Sequence, residues 1–342
     1  MTDLVNRQWL LARRPQGVVQ AEDFRWAEVP VPEPAEGEIL VRNLVLSCDP
    51  TQRGWMASDT YLPKVKIGEV IRSFAAGRVV RSQHPDFPVG QIVQGLFGWQ
   101  DYVVARPGAP SSPVPIPPGV PIETGLSALG VTGVAAYFGL LEIGRPRAGE
   151  TVVVSGAAGA TGSTAGQIAK IKGCRAVGIA GGAEKCRYLT EELGFDAAID
   201  YKSEDVARRL RRTCPQGIDV FFDNVGGETL DAALSNLAMR GRVVLCGAIS
   251  RYNDMAPAPG PRNYLSLLVQ RGRMEGFIVL DYMPRAGEAV AELAGWLRDG
   301  KLKNRVDVQH GLENAPSALA RLFRGENRGK QLVRIAEAPP ST

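Results

Sequence analysis

Three small residues, Ala157, Gly159 and Gly162, stand between the apolar run TVVVS and the amphipathic segment STAGQIAKIKG. Small residues at that spacing let a backbone turn approach a pyrophosphate and let the following helix sit close to its strand. The first N–H groups of that helix have no intrahelical partner, so the chemistry on offer is anion binding. Alanine replaces the first glycine of the dinucleotide fingerprint, and the strand before and helix after the turn carry the assignment.

The next predicted strand, RAVGIA, bears on which dinucleotide. Such a strand normally ends near an acid that accepts the adenosine ribose hydroxyls. Here it runs into Gly181 and Gly182, followed by Lys185. Glycines remove the charge that would repel a 2′-phosphate, and an ammonium attracts one. Tyr201, at the end of the strand after, adds a hydroxyl. The expected cofactor is NADP(H). The competing account is an exposed helical lysine after an ordinary turn, and Glu184, beside Lys185, is a complication.

At the reacting end, the chain has only two histidines, His84 and His310, and neither shares metal-ligand spacing with cysteines or carboxylates. No metal is expected, and zinc-activated alcohol chemistry is disfavoured. Hydride transfer to a double bond conjugated to a carbonyl requires only a hydrogen-bond donor for the developing enolate and a source of a proton. Tyr252, in CGAISRYND, follows a predicted strand end of a parallel sheet, where such sheets place their ligands. Tyr61 and Tyr264 are further candidates, with a packed core or interface tyrosine as the equally weighted alternative.

The elements that must position these residues fall into two regions. Up to about residue 120 the chain is rich in proline, glycine and short β-branched runs such as EILVRNLVLS and AAGRVVRS, which predicts a strand-rich antiparallel unit. The proline-rich segment 105–121 reads as a connection. From about Glu123, a helical segment is followed by alternating strands and helices, the pattern of an α/β, doubly wound parallel sheet. A helix within RNYLSLLVQRG, a strand MEGFIVL, a further helix and a final strand KQLVRIA complete the chain.

Composition narrows the function classes. With 342 residues, 44% hydrophobic and 22% charged, the chain is an ordinary globular protein long enough for two cores. A net charge of +4 with scattered basic residues argues against a nucleic-acid partner. No apolar run approaches membrane-spanning length, and the N-terminus lacks a secretion-signal core, so no membrane association is expected. Five widely spaced cysteines fit reduced thiols in a cytoplasmic enzyme.

Several ordered motifs together resemble the zinc-independent medium-chain dehydrogenase/reductases: SGAAGATGSTAGQIAKIKGCRAVGIAGGAEKC, FFDNVGGETLD, CGAISRYN, RMEGFIV and GENRGKQLVRI, with DPTQRGWM, GWQDYVV and GLENAP outside the nucleotide region. The similarity is greatest to the NADPH-dependent double-bond reductases that act on prostaglandins, alkenals and curcumin. The resemblance implies a Rossmann domain over residues 123–310 nested in a GroES-like β-rich substrate domain over 1–122, completed by about 311–342. It implies cofactor contacts at Gly159, Ala160, Thr161, Gly162, Ser163, Gly181, Lys185, Tyr201 and Asn224. On the nicotinamide side it implies Cys246, Gly247, Ala248, Ile249, Ser250, Tyr252, Phe277, Ile278, Val279 and Asn327. A homodimer joined through the nucleotide-domain sheets is implied as well.

Two positions depart from the family pattern. Relatives often carry DPYMRG where this chain has DPTQRG, so Thr51 replaces a tyrosine. Val269 falls near a second tyrosine of some prostaglandin reductases. The expected activity is NADPH-dependent reduction of small α,β-unsaturated ketones or aldehydes, with Tyr252 assisting the enolate and Tyr61 lining the pocket. Quinone reduction and NADPH binding without turnover are the alternatives.

Overall fold

The computed structural model describes residues 5–108, 112–254, 256 and 259–337. Residues 109–111 of the proline-rich connection lie outside the described residues. The chain divides into two compact units, the first made of residues 1–126, 306–327 and 331–342 and the second of 127–305 and 328–330.

The first unit is built on a seven-stranded sheet. Ile39–Ser47 is its hub, pairing antiparallel with Ala75–Ser82, with Tyr102–Ala105 and with the C-terminal strand Lys330–Arg334. Ile39–Ser47 is buried at every position but Arg42, as a strand covered on both faces must be. Ile39, Val41, Leu46, Val79, Val93 and Val333 pack around Trp99 and Phe97 in the core. A separate ribbon pairs Val5–Leu11 with Phe24–Pro30 and sets Trp9 edge-on to Trp26, with ring centroids 5.1 Å apart.

The second unit holds a six-stranded sheet whose pairings are all parallel. In spatial order its strands are Ala197–Asp200, Arg175–Ala180, Thr151–Ser155, Ile218–Asp223, Leu237–Leu245 and Arg273–Gly276. Numbered along the chain this is the 3-2-1-4-5-6 order of a Rossmann fold, whose switch point lies between the first and fourth strands. Val152, Val153, Val154, Val220, Phe221 and Phe222 are fully buried, as strands covered on both faces must be.

Two elements differ from expectation. The long helical segment from Glu123 is broken into Ile122–Leu126 and Val131–Phe138, the latter running into a π-helical turn at Gly139–Gly144. A Cβ on Gly133 would stand 1.8 Å from the Ala128 carbonyl oxygen, so the chain folds back on itself there at a distance only glycine permits. The strand expected across MEGFIVL stops at Gly276, and Val279–Arg285 continues as a 3₁₀ turn.

Candidate functional site

The glycine turn lies at the carboxyl end of the first parallel strand. Gly159 caps the twelve-residue helix Ala160–Ile171. A Cβ on Gly162 would come 2.4 Å from the Gly156 carbonyl oxygen, so the third small residue of the fingerprint is there for helix–turn packing. Ala157 is fully buried, and a Cβ on Gly178 would approach its methyl to 2.9 Å. The donors this turn presents are the N–H groups of Ala160, Thr161 and Gly162. Ser163 sits deeper: its N–H donates to Gly159 O at 2.9 Å and its hydroxyl to Ala160 O at 3.2 Å.

At the end of the second strand, Gly182 has φ +96° and begins the short helix that carries Lys185. The space expected at Gly181 has an occupant. A Cβ there would lie 2.8–2.9 Å from the Tyr201 ring and hydroxyl, so Gly181 accommodates the tyrosine. Sequence reasoning missed Asp200, one residue before Tyr201. Its carboxylate accepts the Gly182 N–H at 2.7 Å, the Lys202 N–H at 3.0 Å and the Ser203 hydroxyl at 2.9 Å. The N–H of Gly182, ahead of the others, holds the Asp200 carboxyl below the usual carboxylate range. An acid is therefore close to this loop, engaged by two backbone N–H groups and a serine hydroxyl.

The nicotinamide-side residues meet where the fourth and fifth strands end. Asp223 is the hub, also absent from the expected set. Its buried carboxylate accepts the Ser155 hydroxyl at 2.7 Å, the Val225 N–H at 3.0 Å and the Gly226 N–H at 3.1 Å. Its own carbonyl accepts the N–H groups of Cys246 and Gly247. Asn224 turns back to the first strand, its amide nitrogen donating to Ser155 O at 2.7 Å and its backbone N–H to Ser155 Oγ at 2.8 Å. Ile249 N–H reaches Asn224 O, and the Ser250 hydroxyl reaches Val225 O at 2.6 Å. These bonds knit the two loops into one surface. Burial pushes the Asp223 carboxyl up and the Cys246 thiol to about 12, which keeps that thiol protonated at neutral pH.

Beside this surface opens a cavity of about 810 Å³, lined among others by Gly226, Cys246, Ala248, Tyr252, Phe277 and Ile278. That is large for a single aromatic ring and suits a ring with a small molecule against it. Phe277 is fixed edge-on to Tyr282, with centroids 6.1 Å apart, and a Cβ on Gly139 would strike its ring at 2.5 Å. Val279 opens the 3₁₀ turn beyond that wall. The Tyr252 phenol oxygen accepts the Ala248 N–H at 3.2 Å. While its oxygen accepts that N–H, the phenol still carries its own O–H as a donor.

The remaining expected residues belong to the first unit or to the surface of the second. Thr51 begins the helix Thr51–Ala57, and its hydroxyl lies 2.8 Å from that of Tyr61, which stands edge-on to Trp55 at 6.2 Å. Arg53 of the same DPTQRG motif is buried and donates to Gly17 O and Pro15 O, each at 2.9 Å, anchoring that helix. Asn327 lies in the first unit, whereas Arg328, Gly329 and Lys330 belong to the second. Tyr264 is exposed on the second unit, next to the short helix Leu265–Gln270.

Among the described residues, no group of three or more His, Cys, Asp or Glu is arranged to hold a metal ion, and no helix is long and apolar enough to cross a membrane.

Residues 7–112 match the family described as N-terminal domain of oxidoreductase, and residues 160–295 the family described as zinc-binding dehydrogenase. The chain is 44% identical to the NADPH-dependent curcumin reductase of Escherichia coli, covering 97% of each chain. It is 38% identical to the NADP(+)-dependent 2-alkenal reductase of Nicotiana tabacum, covering 98% of each. The crystal structure of CurA from Vibrio vulnificus in complex with NADPH superposes with a TM-score of 0.91 at 42% identity, covering 97% of this chain and 99% of that one.

Proposed function

Since the chain belongs to the zinc-independent medium-chain dehydrogenase/reductases, within their NADPH-dependent double-bond reductases, we propose that it reduces the C=C bond of α,β-unsaturated ketones or aldehydes. The enzyme is an NADPH-dependent oxidoreductase. The turn at Gly159 and the loop from Gly181 to Lys185 fit the cofactor: backbone N–H groups converge where a pyrophosphate would lie, and Lys185 with Tyr201 offers an ammonium and a hydroxyl to a 2′-phosphate. Bound NADPH supplies the hydride.

The observation that carries the reading is Tyr252 on the cavity wall, its oxygen already receiving the Ala248 N–H. Charge that develops on a substrate carbonyl oxygen is met by the phenol proton, and charge left on the phenol oxygen is met by that N–H. Phe277 and Ile278 provide an apolar wall that excludes water from the reacting carbons. Asp223 and Ser155 hold the loops in register. In the first unit, Tyr61 is the residue proposed to face a substrate, and the Thr51 hydroxyl lies 2.8 Å from its own.

The test is product analysis. With a panel of enones, NADPH oxidation should yield saturated carbonyls, and Tyr252→Phe should lower kcat by about 10²-fold. Allylic alcohols as products would overturn the reading. Hydroquinones formed from quinones, with enones inert, would favour the quinone reductase alternative, and tight NADPH binding without turnover would favour a non-catalytic protein.

The same reading includes a homodimer. Arg273–Gly276 is an edge strand, and beside it Leu265, Leu268 and Val269 are exposed, Leu268 at 76%. An open edge flanked by apolar side chains is suited to a second copy of the sheet. Light scattering should report a dimer that Leu268→Asp weakens; a monomer at micromolar concentration would refute it. The five cysteines are all unbridged, in keeping with a reducing cytoplasmic location, which cell fractionation tests.

A further inference from the structure

One wall of the cavity is seated on an irregular stretch of helix. After Phe138 the helix Val131–Phe138 widens into the π-helical turn Gly139–Gly144, a conformation rare enough to call for a local reason. Gly139 supplies one. A Cβ there would stand 2.5 Å from Phe277 Cζ and 3.0 Å from Phe222 Cε2, so the missing side chain leaves a slot that the Phe277 ring fills. One residue earlier, the fully buried Phe138 is covered by the Tyr282 ring, stacked with centroids 4.8 Å apart and planes 23° from parallel. Tyr282 in turn meets Phe277 edge-on. The Arg285 guanidinium lies 5.1 Å from the Phe138 centroid and pairs with Glu142 of the π-helical turn at 2.6 Å.

The segment from Phe277 to Arg285 is thus pinned at Gly139, Phe138 and Glu142, and within it Phe277, Ile278 and Asp281 line the cavity. The sheet's register ends before it, at Leu245↔Gly276, and the Asp281 N–H bond to Ile278 O at 3.1 Å is internal to the segment. The Arg285–Glu142 pair is more than a third exposed on both sides and contributes little. The aromatic contacts are the sheltered ones, and each is worth severalfold in an equilibrium. We propose that Tyr282 is a positioning residue for the nicotinamide: stacked on Phe138 and edge-on to Phe277, it holds Phe277 and Ile278 where the ring is to lie. A wall already ordered spares the cofactor the cost of ordering it on binding. The inference rests on the placement of the nicotinamide against Phe277 and Ile278.

The probes are NADPH and 2′,5′-ADP, which carries the adenosine end alone, and their equilibrium binding to the full chain is measured by calorimetry. Loss of folded protein weakens both equally and leaves their ratio unchanged. Tyr282→Ala should weaken NADPH by about three- to tenfold, the worth of one aromatic pair, and leave 2′,5′-ADP within about twofold. The fluorescence anisotropy of bound NADPH should fall with it. Tyr282→Phe keeps the ring and should match the parent for both probes. Gly139→Ala, which displaces the Phe277 ring from the other side, should reproduce the selective loss. Equal weakening of both probes, no loss in Tyr282→Ala, an unchanged ratio in Gly139→Ala, or a Phe variant as weak as the Ala variant would each overturn the proposal. Ile278→Trp separates the premise, since it adds bulk on the cavity wall itself. If it too leaves the ratio of the two affinities unchanged, the nicotinamide lies elsewhere; a changed ratio there, with none in Tyr282→Ala, overturns the positioning role alone.

Discussion

Gly181→Ala probes the adenosine end with one methyl group. Gly181 is not among the positive-φ glycines, so alanine is tolerated by the backbone. Its Cβ would stand 2.8 Å from Tyr201 Cε1 and 2.9 Å from both Cζ and the hydroxyl oxygen. Carbon–carbon contacts settle near about 3.5–4.0 Å, so the ring must retreat by about an ångström. Half of Tyr201 is exposed, and the ring can swing into solvent at little cost to folding. Its hydroxyl then loses the 2′-phosphate. A hydrogen bond to a charged group contributes about 1.5–3 kcal/mol when well sheltered, and the exposed setting points to the lower end, about tenfold in Kd. Calorimetry with NADP+ and NAD+ reads this directly: NADP+ should weaken about tenfold and NAD+ less than twofold, with Tm nearly unchanged. Tyr201→Phe should give the same loss, and the double variant no more than either single one, since both remove one contact. Additive losses, or equal weakening of NAD+, would refute the reasoning.

Three further outcomes are expected. Gly166→Ala would place a Cβ 1.9 Å from Cζ of the buried Phe195, and overpacking of about 1–3 kcal/mol should lower Tm by several degrees in a thermal scan; an unchanged Tm would show that Phe195 has room to move. The Asp200 carboxyl is depressed in the folded protein, so its contribution is present above the ordinary carboxylate pKa and is lost as pH falls through the folded value. The stability gap between the parent and Asp200→Asn, followed by denaturant midpoints, should therefore shrink towards acid pH; a constant gap would sink that assignment. Thr51→Val removes the hydroxyl 2.8 Å from that of Tyr61, and KM for an enone should rise about two- to fivefold with cofactor Kd unchanged. Parallel changes in both constants would place Thr51 outside the substrate site.

What could be read from sequence follows from how local each feature is. Strand–helix alternation and the glycine turn are patterns of neighbouring residues, and the parallel sheet stands where they point, in the 3-2-1-4-5-6 order. Asp223 escaped because a single acid at the end of IDVFFD has no periodicity, and its role appears only when Ser155, 68 residues earlier, lies against it. Gly181 was legible as space but not as space for Tyr201, because that requires the register Ala180↔Asp200 between two strands. The break after Leu126 was masked by helix-forming residues on both sides, and a backbone fold-back at Gly133 decides it. Arg328 reads as one more surface cation until its partner Glu184 is in view.

Residues 328–334 also bear on synthesis. The first unit closes its sheet by pairing Leu332–Arg334 with Val45–Ser47, and the second unit takes in residues 328–330. A chain emerging from the ribosome thus meets residues 127–305 as a nearly complete sheet, while the strands made first still await a partner almost three hundred residues downstream. The nucleotide unit is placed to fold first, and the N-terminal strands, with an unpaired edge in the interim, are the segment that needs protection from aggregation. A few residues near position 330 finish both units, so translation must pass them before either the cofactor end or the β-rich unit is whole.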